Sequence, residues 1–432
     1  MSQDSPLDNT SFSALQWRVL IICFLLNMLD GIDVLAISFA APVIAQDWSI
    51  TPQGLGIIFS SALVGMAIGA VFISPYTDKI GRRKMILASI AVIAVGMLAT
   101  ALVDSVYELA TIRLIAGIGI GSMLASLTAM VSEYAPEKHR NIAILTLHAA
   151  YPIGAIIAGF VAAWMLPVYG WRPLFIFAGV ISLVAVPLVF FALPESLAFL
   201  LGKQPANALV KINRILLELG RPPWQTLPQK SQAAQASSGL KALFVGELKS
   251  ATAVLWLAFM MSFATLYFLF SWVVKLAVEA GLPLEKAMYA GIVLNLGAFF
   301  GSVSLGYLSE KLGLKRLIFA FFIAGAVMSV AYGNASVSVA SILVLIFLLM
   351  FFVQGGFTGL YAVAARLYPT EIRTTGVGWA IGAGRVGAIV GPTAAGFILA
   401  TGLSVGWTFV IFAVPLVVAA LAVSQFSNSS IQ

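Results

Sequence analysis

The sequence contains very little charge. Only 9% of its 432 residues are Asp, Glu, Lys or Arg, and 61% are hydrophobic. Soluble domains carry about 25% charged residues, because their surface must be covered by polar groups. The composition therefore excludes an ordinary soluble enzyme or nucleic-acid-binding protein and indicates an integral membrane protein.

Cysteine and histidine are almost absent. The single cysteine, Cys23, excludes an intrachain disulfide and a Cys-based zinc site, and we interpret it as a small buried hydrophobic residue. Two histidines are too few for a His-rich metal centre. No Walker motif is present, and the stretch GIGIGS lies inside an apolar run that follows no strand, so it is not a nucleotide loop. We therefore expect no metal, no cofactor, no use of ATP and no enzymatic activity.

Long hydrophobic runs are what the sequence has in abundance. Runs of roughly 20 residues, long enough to cross a bilayer as a helix, recur between short polar breaks. We predict twelve spans, near 17–46, 54–76, 85–103, 107–134, 142–166, 173–193, 251–274, 286–309, 316–333, 337–365, 374–400 and 405–424. A polar stretch with an amphipathic helix around Ala206–Leu219 separates the two sets of six spans.

The predicted organisation is an all-α integral membrane protein. Its segments are a cytoplasmic tail (1–16), a six-helix bundle (17–193), a cytoplasmic linker (194–250), a second six-helix bundle (251–424) and a second cytoplasmic tail (425–432). Most Lys and Arg residues fall in the loops of one side, which the positive-inside rule assigns to the cytoplasm. The net charge of +7 therefore indicates topology in an inner (plasma) membrane and not nucleic-acid binding.

The two halves repeat each other. TDKIGRRK (77–84) matches SEKLGLKR (309–316), and YAPEKHR (134–140) resembles LYPTEIR (367–373), at nearly one offset along the chain. Duplicated six-span halves with a central linker are typical of alternating-access transporters built from two pseudo-symmetric bundles.

Several motifs resemble the major facilitator superfamily. The loop SPYTDKIGRRK (74–84) is similar to the family's G-x-x-x-D-R-x-G-R-R/K motif, with Ser74 in place of Gly and Lys79 in place of Arg. The fourth span contains RLIAGIGIG (113–121), which is similar to the family's Arg-then-glycine motif. The resemblance covers essentially the whole chain and implies the major facilitator fold.

Two further motifs resemble a narrower group, the aromatic acid:proton symporter family. LDGIDVLAISFAAP (29–42) is similar to its D-G-x-D first-span signature, and WAIGAGRVGAIVGP (379–392) is similar to its eleventh span. This resemblance implies import of a small aromatic carboxylate, such as benzoate or a hydroxybenzoate, together with protons. Some relatives take cis,cis-muconate instead.

Asp30 and Asp33 lie three residues apart in the first span, on one face of a helix. An ionised Asp near the bilayer centre costs roughly 2.5–3.5 kcal/mol, so we expect a function for this pair. Arg385, at a similar depth in the eleventh span, offers a planar fork to a substrate carboxylate, and one aspartate is expected to pair with it in the empty state. Since two adjacent carboxylates do not readily both ionise, we expect the pair to bind the transported proton. The alternative is a static ion pair that locks the two spans together.

Glu133 closes the fourth span near the cytoplasm, and Arg113 lies toward the outer end of the same span. Three alternatives stay open for Glu133: carrying a proton, gating with Arg140 or Arg373, or a scaffold ion pair. The resemblance supports a role for Glu133 and substrate contact by Arg113, because the family has charged residues at these places.

Asp78 and Glu310 occupy equivalent positions in the repeated loop. A carboxylate is stabilised at a helix N-terminus, so we expect Asp78 to reach the start of the eleventh span and Glu310 that of the fifth. Such contacts latch the cytoplasmic face when it is closed, and glycines permit the tight turns. The alternative is a basic loop that only sets topology. The candidate gating residues are Asp78, Gly81, Arg82, Arg140, Glu310, Gly313 and Arg373.

Aromatic and amide side chains on the cavity-forming spans are candidates for contact with a substrate ring. They are His148, Tyr151, Phe263, Tyr267, Asn295, Gln354, Phe357 and Tyr361. Gln354 or Asn295 is a candidate to bond a ring hydroxyl. For each aromatic residue the alternative is ordinary helix packing or lipid contact.

The sequence thus predicts a monomeric importer of a small aromatic acid, driven by protons. Three alternatives stay open: an importer of a non-aromatic acid such as muconate, a proton antiporter that exports drugs or metabolites, and a membrane sensor without net flux. Arg385 favours an importer of anions, because such a protein needs a buried cation. The linker looks too short and too polar for the signalling domain of a sensor.

Overall fold

The computed structural model describes residues 12–228, 243–244, 248–334, 338–369 and 372–426, apart from the side chains of Asn141, Glu310, Arg373 and Thr374. The described residues are helical apart from short connections, with no strand among them. Twelve of the described helical segments are long and apolar enough to cross a membrane. The predicted all-α architecture of twelve spans is therefore confirmed.

The first half of the chain contains six spans. Its helices are Ala14–Asp47 (α1), Pro52–Ile68 (α2), Thr77–Ile80 (α3), Arg82–Thr100 (α4), Val106–Tyr134 (α5), Arg140–Tyr169 (α6) and Arg172–Ala192 (α7). A π turn (Gly69–Ile73) and a 3-10 turn (Ser74–Tyr76) join α2 and α3 into a single span. The second predicted span therefore continues beyond its expected end.

Two short helices follow in the linker, and six spans form the second half. The linker helices are Leu197–Lys203 (α8) and Ala208–Glu218 (α9), of which α9 matches the predicted amphipathic helix. The second half comprises Leu248–Glu279 (α10), Leu284–Leu312 (α11), Leu314–Gly333 (α12), Val339–Leu367 (α13), Arg373–Ala400 (α14) and Val405–Ser424 (α15).

One end of the molecule carries the linker, and we call it the linker side. Near the start of α1, Arg18 pairs with Glu218 of α9 at 2.5 Å. At the end of α5, the hydroxyl of Tyr134 donates to the carbonyl of Glu195 at 2.6 Å. Because α1 begins here and successive spans alternate in direction, odd-numbered spans start at this side and even-numbered spans end here. The opposite end is called the far side.

The repeated loops form two equivalent turns on the linker side. Gly81 has φ +101° between α3 and α4, and Gly313 has φ +83° between α11 and α12. Backbone at positive φ favours glycine, because a side chain would crowd the following carbonyl. The sequence repeat therefore corresponds to a repeat in backbone conformation.

The two halves contact each other mainly through α2 with α14, α6 with α11, and α1 with α10. The hydroxyl of Ser60 donates to the carbonyl of Ile389 at 2.7 Å and accepts from Thr393 at 2.6 Å. Ser38 of α1 donates to the carbonyl of Phe270 of α10 at 2.6 Å. All these residues lie in the parts of their helices nearer the far side, so the halves are joined there.

Candidate functional site

Helix α1 carries both membrane aspartates into the interior. Its start is fixed by a capping box, in which the Ser13 side chain accepts from the backbone of Gln16 and the Gln16 side chain accepts from the backbone of Ser13. Asp30 is 2% exposed and Asp33 is 1% exposed. At Gly31, between them, an added Cβ would overlap the backbone of α6, so α1 and α6 are in close contact here.

Asp33 points into the first half. Its Oδ2 accepts a hydrogen bond from the hydroxyl of Ser182 on α7 at 3.3 Å. The guanidinium of Arg113 on α5 donates to the backbone carbonyl of Asp33 at 3.0 Å and contacts the sulfur of Met97 at 3.0 Å. Arg113 has no exposed surface. These contacts place both residues within the first bundle, and the predicted substrate contact of Arg113 stays a prediction.

Asp30 faces the second half instead. It is the aspartate that interacts electrostatically with Arg385, whereas Asp33 interacts with Arg113. Among the described residues no ion pair within 4.0 Å joins Asp30 to Arg385. The two side chains therefore attract each other across the interface between the halves, without direct contact.

Arg385 is held on α14 by close packing against α10. An added Cβ at Gly384 would overlap the ring of Phe263, and one at Gly387 would overlap the carbonyl of Met260. The guanidinium of Arg385 donates to the hydroxyl of Tyr267 at 3.2 Å, and its central carbon lies 5.8 Å from the centre of the Phe263 ring. These contacts orient the guanidinium within the interior.

An aromatic cluster surrounds this arginine. Phe263 of α10 meets Phe357 of α13 edge-on, with ring centres 4.6 Å apart, and stacks on Tyr267 at 5.7 Å. Tyr361, one turn from Phe357, lies 5.3 Å from it. From the first half, Tyr151 of α6 approaches Phe270 at 6.4 Å. The structure thus brings together five of the predicted ring-contact residues with Arg385 and Asp30.

The other candidate ring contacts are placed differently. His148 lies one turn before Tyr151 on α6 and is exposed. Asn295 of α11 is 1% exposed and donates to the carbonyl of Gly291 in its own helix at 2.9 Å. The Oε1 of Gln354 on α13 is buried without a hydrogen-bond partner.

Two glycines of α14, on the linker side of Arg385, face open space. An added Cβ at Gly378 or at Gly382 would meet no atom within 4 Å. Gly378, Gly382 and Arg385 follow one another at helical spacing and therefore lie on one face of α14. The face of α14 that carries Arg385 is therefore unobstructed at these two glycines.

A polar network closes the end of α5 on the linker side. Glu133 forms an ion pair with Arg82 and accepts a hydrogen bond of 2.5 Å from the hydroxyl of Ser196. Asp78 is 79% exposed, and its carboxylate lies 3.9 Å from Arg82. Arg140 is exposed. Glu133 is therefore paired with Arg82 in this structure, and not with Arg140.

The side chains of Glu310 and Arg373 lie outside the described set. The predicted latch of the second half and the predicted contact between Glu133 and Arg373 therefore stay predictions.

The structure adds residues that the sequence analysis does not single out. Glu195 accepts from the backbone N–H of Arg83 at 3.0 Å and so caps the start of α4. Ser196 caps the start of α8 and also bonds Glu133. The sequence did contain a signal for these two roles, because an acidic residue and a capping serine follow the sixth span, opposite the basic loop. The sequence contained no signal for the contacts of Ser182 and Met97, because a single small or thioether residue in a span usually only packs against neighbouring helices.

Comparison with known proteins identifies the chain's family. The model of the Major Facilitator Superfamily matches residues 23–340 and 296–427. The chain belongs to the Major Facilitator Superfamily. Members of this superfamily are membrane transporters, so the chain is a multi-pass transporter and not an enzyme.

This Major Facilitator Superfamily chain is similar in sequence to known transporters and similar in fold to solved structures. It is 32% identical to the gallate transporter of Pseudomonas putida, over 96% of this chain and 93% of the relative. It is also 32% identical to the 4-hydroxybenzoate transporter PcaK of Pseudomonas aeruginosa, over 92% and 88%. A bacterial homologue of the human lysosomal transporter Spinster, inward-facing and unoccupied, superposes with a TM-score of 0.77 at 16% identity, covering 98% of both chains.

Proposed function

We propose that this superfamily transporter imports a small aromatic carboxylate, such as benzoate or a hydroxybenzoate, together with protons. The observation that carries the proposal is Arg385, a half-buried cation among aromatic rings, on a face of α14 that is unobstructed at Gly378 and Gly382. The names of the gallate and 4-hydroxybenzoate relatives support the same substrate class. The protein acts as a monomer in the inner membrane, with the linker side and both termini in the cytoplasm.

Binding in this proposal uses the two kinds of group that the cavity combines. The planar guanidinium of Arg385 pairs with the substrate carboxylate, because its donors match the two oxygens of the anion. The bond to Tyr267 leaves the remaining donors free for the substrate. The substrate ring then packs among Phe263, Phe357 and Tyr361, where edge-on contacts are favourable.

Coupling in this proposal rests on Asp30. While Asp30 is ionised it attracts Arg385, and it repels an incoming carboxylate. A proton on Asp30 removes that repulsion and frees Arg385 for the substrate, so proton and substrate bind cooperatively. Asp33, held by Ser182 within the first bundle, is a second proton-binding group. Glu133 links protonation to the linker-side network.

Alternating access in this proposal moves the two bundles, residues 17–193 and 251–424, about the cavity while the linker (194–250) joins them. In the described structure, hydrogen bonds join the halves at the far side, and α14 faces open space at Gly378 and Gly382 nearer the linker side. In the opposite state, the far-side bonds break and the loops around Asp78 and Glu310 close the linker side. Substrate bound from outside is thereby released to the cytoplasm.

The test is uptake of radiolabelled benzoate and 4-hydroxybenzoate into right-side-out vesicles. We expect uptake above that of vesicles without the protein when an inward proton gradient is imposed, and loss of accumulation with a protonophore. An excess of unlabelled muconate should not compete. Uptake of muconate alone would favour a non-aromatic acid. Gradient-driven efflux of the aromatic acids would identify an exporter, and both results contradict the proposal.

A further inference from the structure

Gln354 presents a buried acceptor without a partner beside the aromatic cluster. Its side chain lies on α13 one turn before Phe357 and two turns before Tyr361, so the three side chains share one face of the helix. Phe357 and Tyr361 use this face to meet the rings of α10. Four residues further along α13, the hydroxyl of Thr358 lies 2.9 Å from that of Ser302 on α11. Around the helix axis, Gln354 therefore lies between Phe357, which meets α10, and Thr358, which meets α11.

The helix register places Gln354 one turn nearer the far side than Phe357. Phe263 contacts both Phe357 and the guanidinium of Arg385. One helical turn separates Gln354 from Phe357 toward the far side, a rise of roughly 4.5 Å. An aromatic acid whose carboxylate pairs with Arg385 and whose ring contacts Phe357 therefore lies within about one helical turn of Gln354.

The chemistry of this position is specific. A carboxamide oxygen accepts hydrogen bonds and cannot donate them. A buried acceptor without a partner is unfavourable, and a ligand that brings a donor relieves that cost. A site of this kind discriminates strongly against an analogue of the same shape that lacks the donor.

We propose that Gln354 is a specificity-determining residue that accepts a hydrogen bond from a donor on the substrate ring, a hydroxyl or an amine. The inference rests on the proposed function, because it assumes that an aromatic acid occupies the cavity. It adds that this transporter distinguishes ring-hydroxylated acids from acids of equal size that carry no donor.

The experiment measures dissociation constants of the purified full-length protein in lipid nanodiscs. The probes are benzoate, 4-hydroxybenzoate, 4-aminobenzoate and 4-methylbenzoate, whose methyl group is close to a hydroxyl in size but donates nothing. They are compared in the wild type, in Gln354→Met, which keeps the length of the side chain without its acceptor, and in Thr358→Val. The last variant removes a hydroxyl that contacts Ser302 on α11 and the backbone carbonyl of Gln354, and it leaves the carboxamide of Gln354 in place.

In the wild type we expect the hydroxy and amino acids to bind about tenfold more tightly than the methyl acid, the factor for one neutral hydrogen bond of about 1.4 kcal/mol. In Gln354→Met this ratio should fall to about one while benzoate binds as before, which also shows that the variant is folded. Thr358→Val should keep the wild-type ratio. If Gln354→Met binds no ligand, Gln354→Leu, which also lacks the acceptor, is measured in its place, and a wild-type ratio in that variant overturns the proposal.

Two outcomes separate the failure of this inference from that of the proposed function. If the wild type binds all four acids with similar affinity, or if Gln354→Met keeps the tighter binding of the hydroxy and amino acids, Gln354 does not bind a donor on the ring. The proposed aromatic acid site is not contradicted by either result. If the wild type binds none of the four acids, the proposed substrate class is wrong and the inference falls with it.

Discussion

Replacing Arg385 should remove most of the affinity for an aromatic carboxylate. Its guanidinium is held by Tyr267 and lies over the ring of Phe263, so the donors that remain are oriented before the substrate arrives. A hydrogen bond to a charged group contributes about 1.5–3 kcal/mol, which is roughly 10- to 150-fold in a dissociation constant. We expect a loss of this size in Arg385→Ala. Arg385→Lys should lose less, because it keeps the charge but not the planar fork.

The measurement is the dissociation constant of the purified protein for benzoate and for its uncharged analogue benzamide. Benzamide should bind the wild type and both variants alike, because it presents no carboxylate to the arginine. Loss of Arg385 also leaves Asp30 buried without its cation, so the same comparison is repeated in an Asp30→Asn background. Arg172→Ala is the matched control, because Arg172 pairs with Asp104 at 2.6 Å in an exposed far-side contact.

The reasoning would be refuted if Arg385→Ala bound benzoate within twofold of the wild type. It would also be refuted if benzoate and benzamide lost equal affinity, since that result indicates collapse of the cavity and not loss of an ion pair. Either outcome moves the anion site away from α14.

Three further predictions follow from other parts of the structure. Asp30→Asn, which imitates the protonated residue, should still exchange labelled for unlabelled substrate but should no longer accumulate substrate when a proton gradient is imposed. A variant that still accumulates substrate would show that Asp30 is not the coupling group. Gly154→Ala should lower the free energy of unfolding by about 1–3 kcal/mol, because the added Cβ overlaps the Met28 backbone. Gly382→Ala should not lower it, because Gly382 faces open space. Thermal unfolding in detergent compares the two variants, and equal midpoints would contradict the packing argument. Gly378→Cys should react with a membrane-impermeant maleimide in inside-out vesicles and not in right-side-out vesicles; the reverse pattern overturns the proposed orientation.

The spans could be predicted because length and apolarity are properties of the local sequence. The first span was expected at 17–46 and is found at Ala14–Asp47. Its earlier start comes from the capping box of Ser13 and Gln16, a signal that is readable in the sequence. The extension of the second span to Ile80 depends on a π turn, which has no reliable sequence signal.

The partners of the site residues could be predicted only in part, because they depend on how each helix is rotated against its neighbours. Two residues three apart differ by about 60° around a helix, so they share a broad face but need not meet the same neighbour. In a packed bundle that angle directs Asp30 toward Arg385 and Asp33 toward Ser182 and Arg113. The spacing alone assigned both carboxylates to one place.

The bonds between the halves at the far side have a consequence for how the molecule responds to its surroundings. Ser38, Ser60 and Thr393 make these contacts with neutral groups, and no ion pair among the described residues crosses between the halves. When they separate, water replaces each hydrogen bond, and dissolved salt has little to screen. The linker side instead concentrates charge around Arg82, Glu133 and Asp78. Ionic strength should therefore affect the linker side more than the bonds that join the halves at the far side.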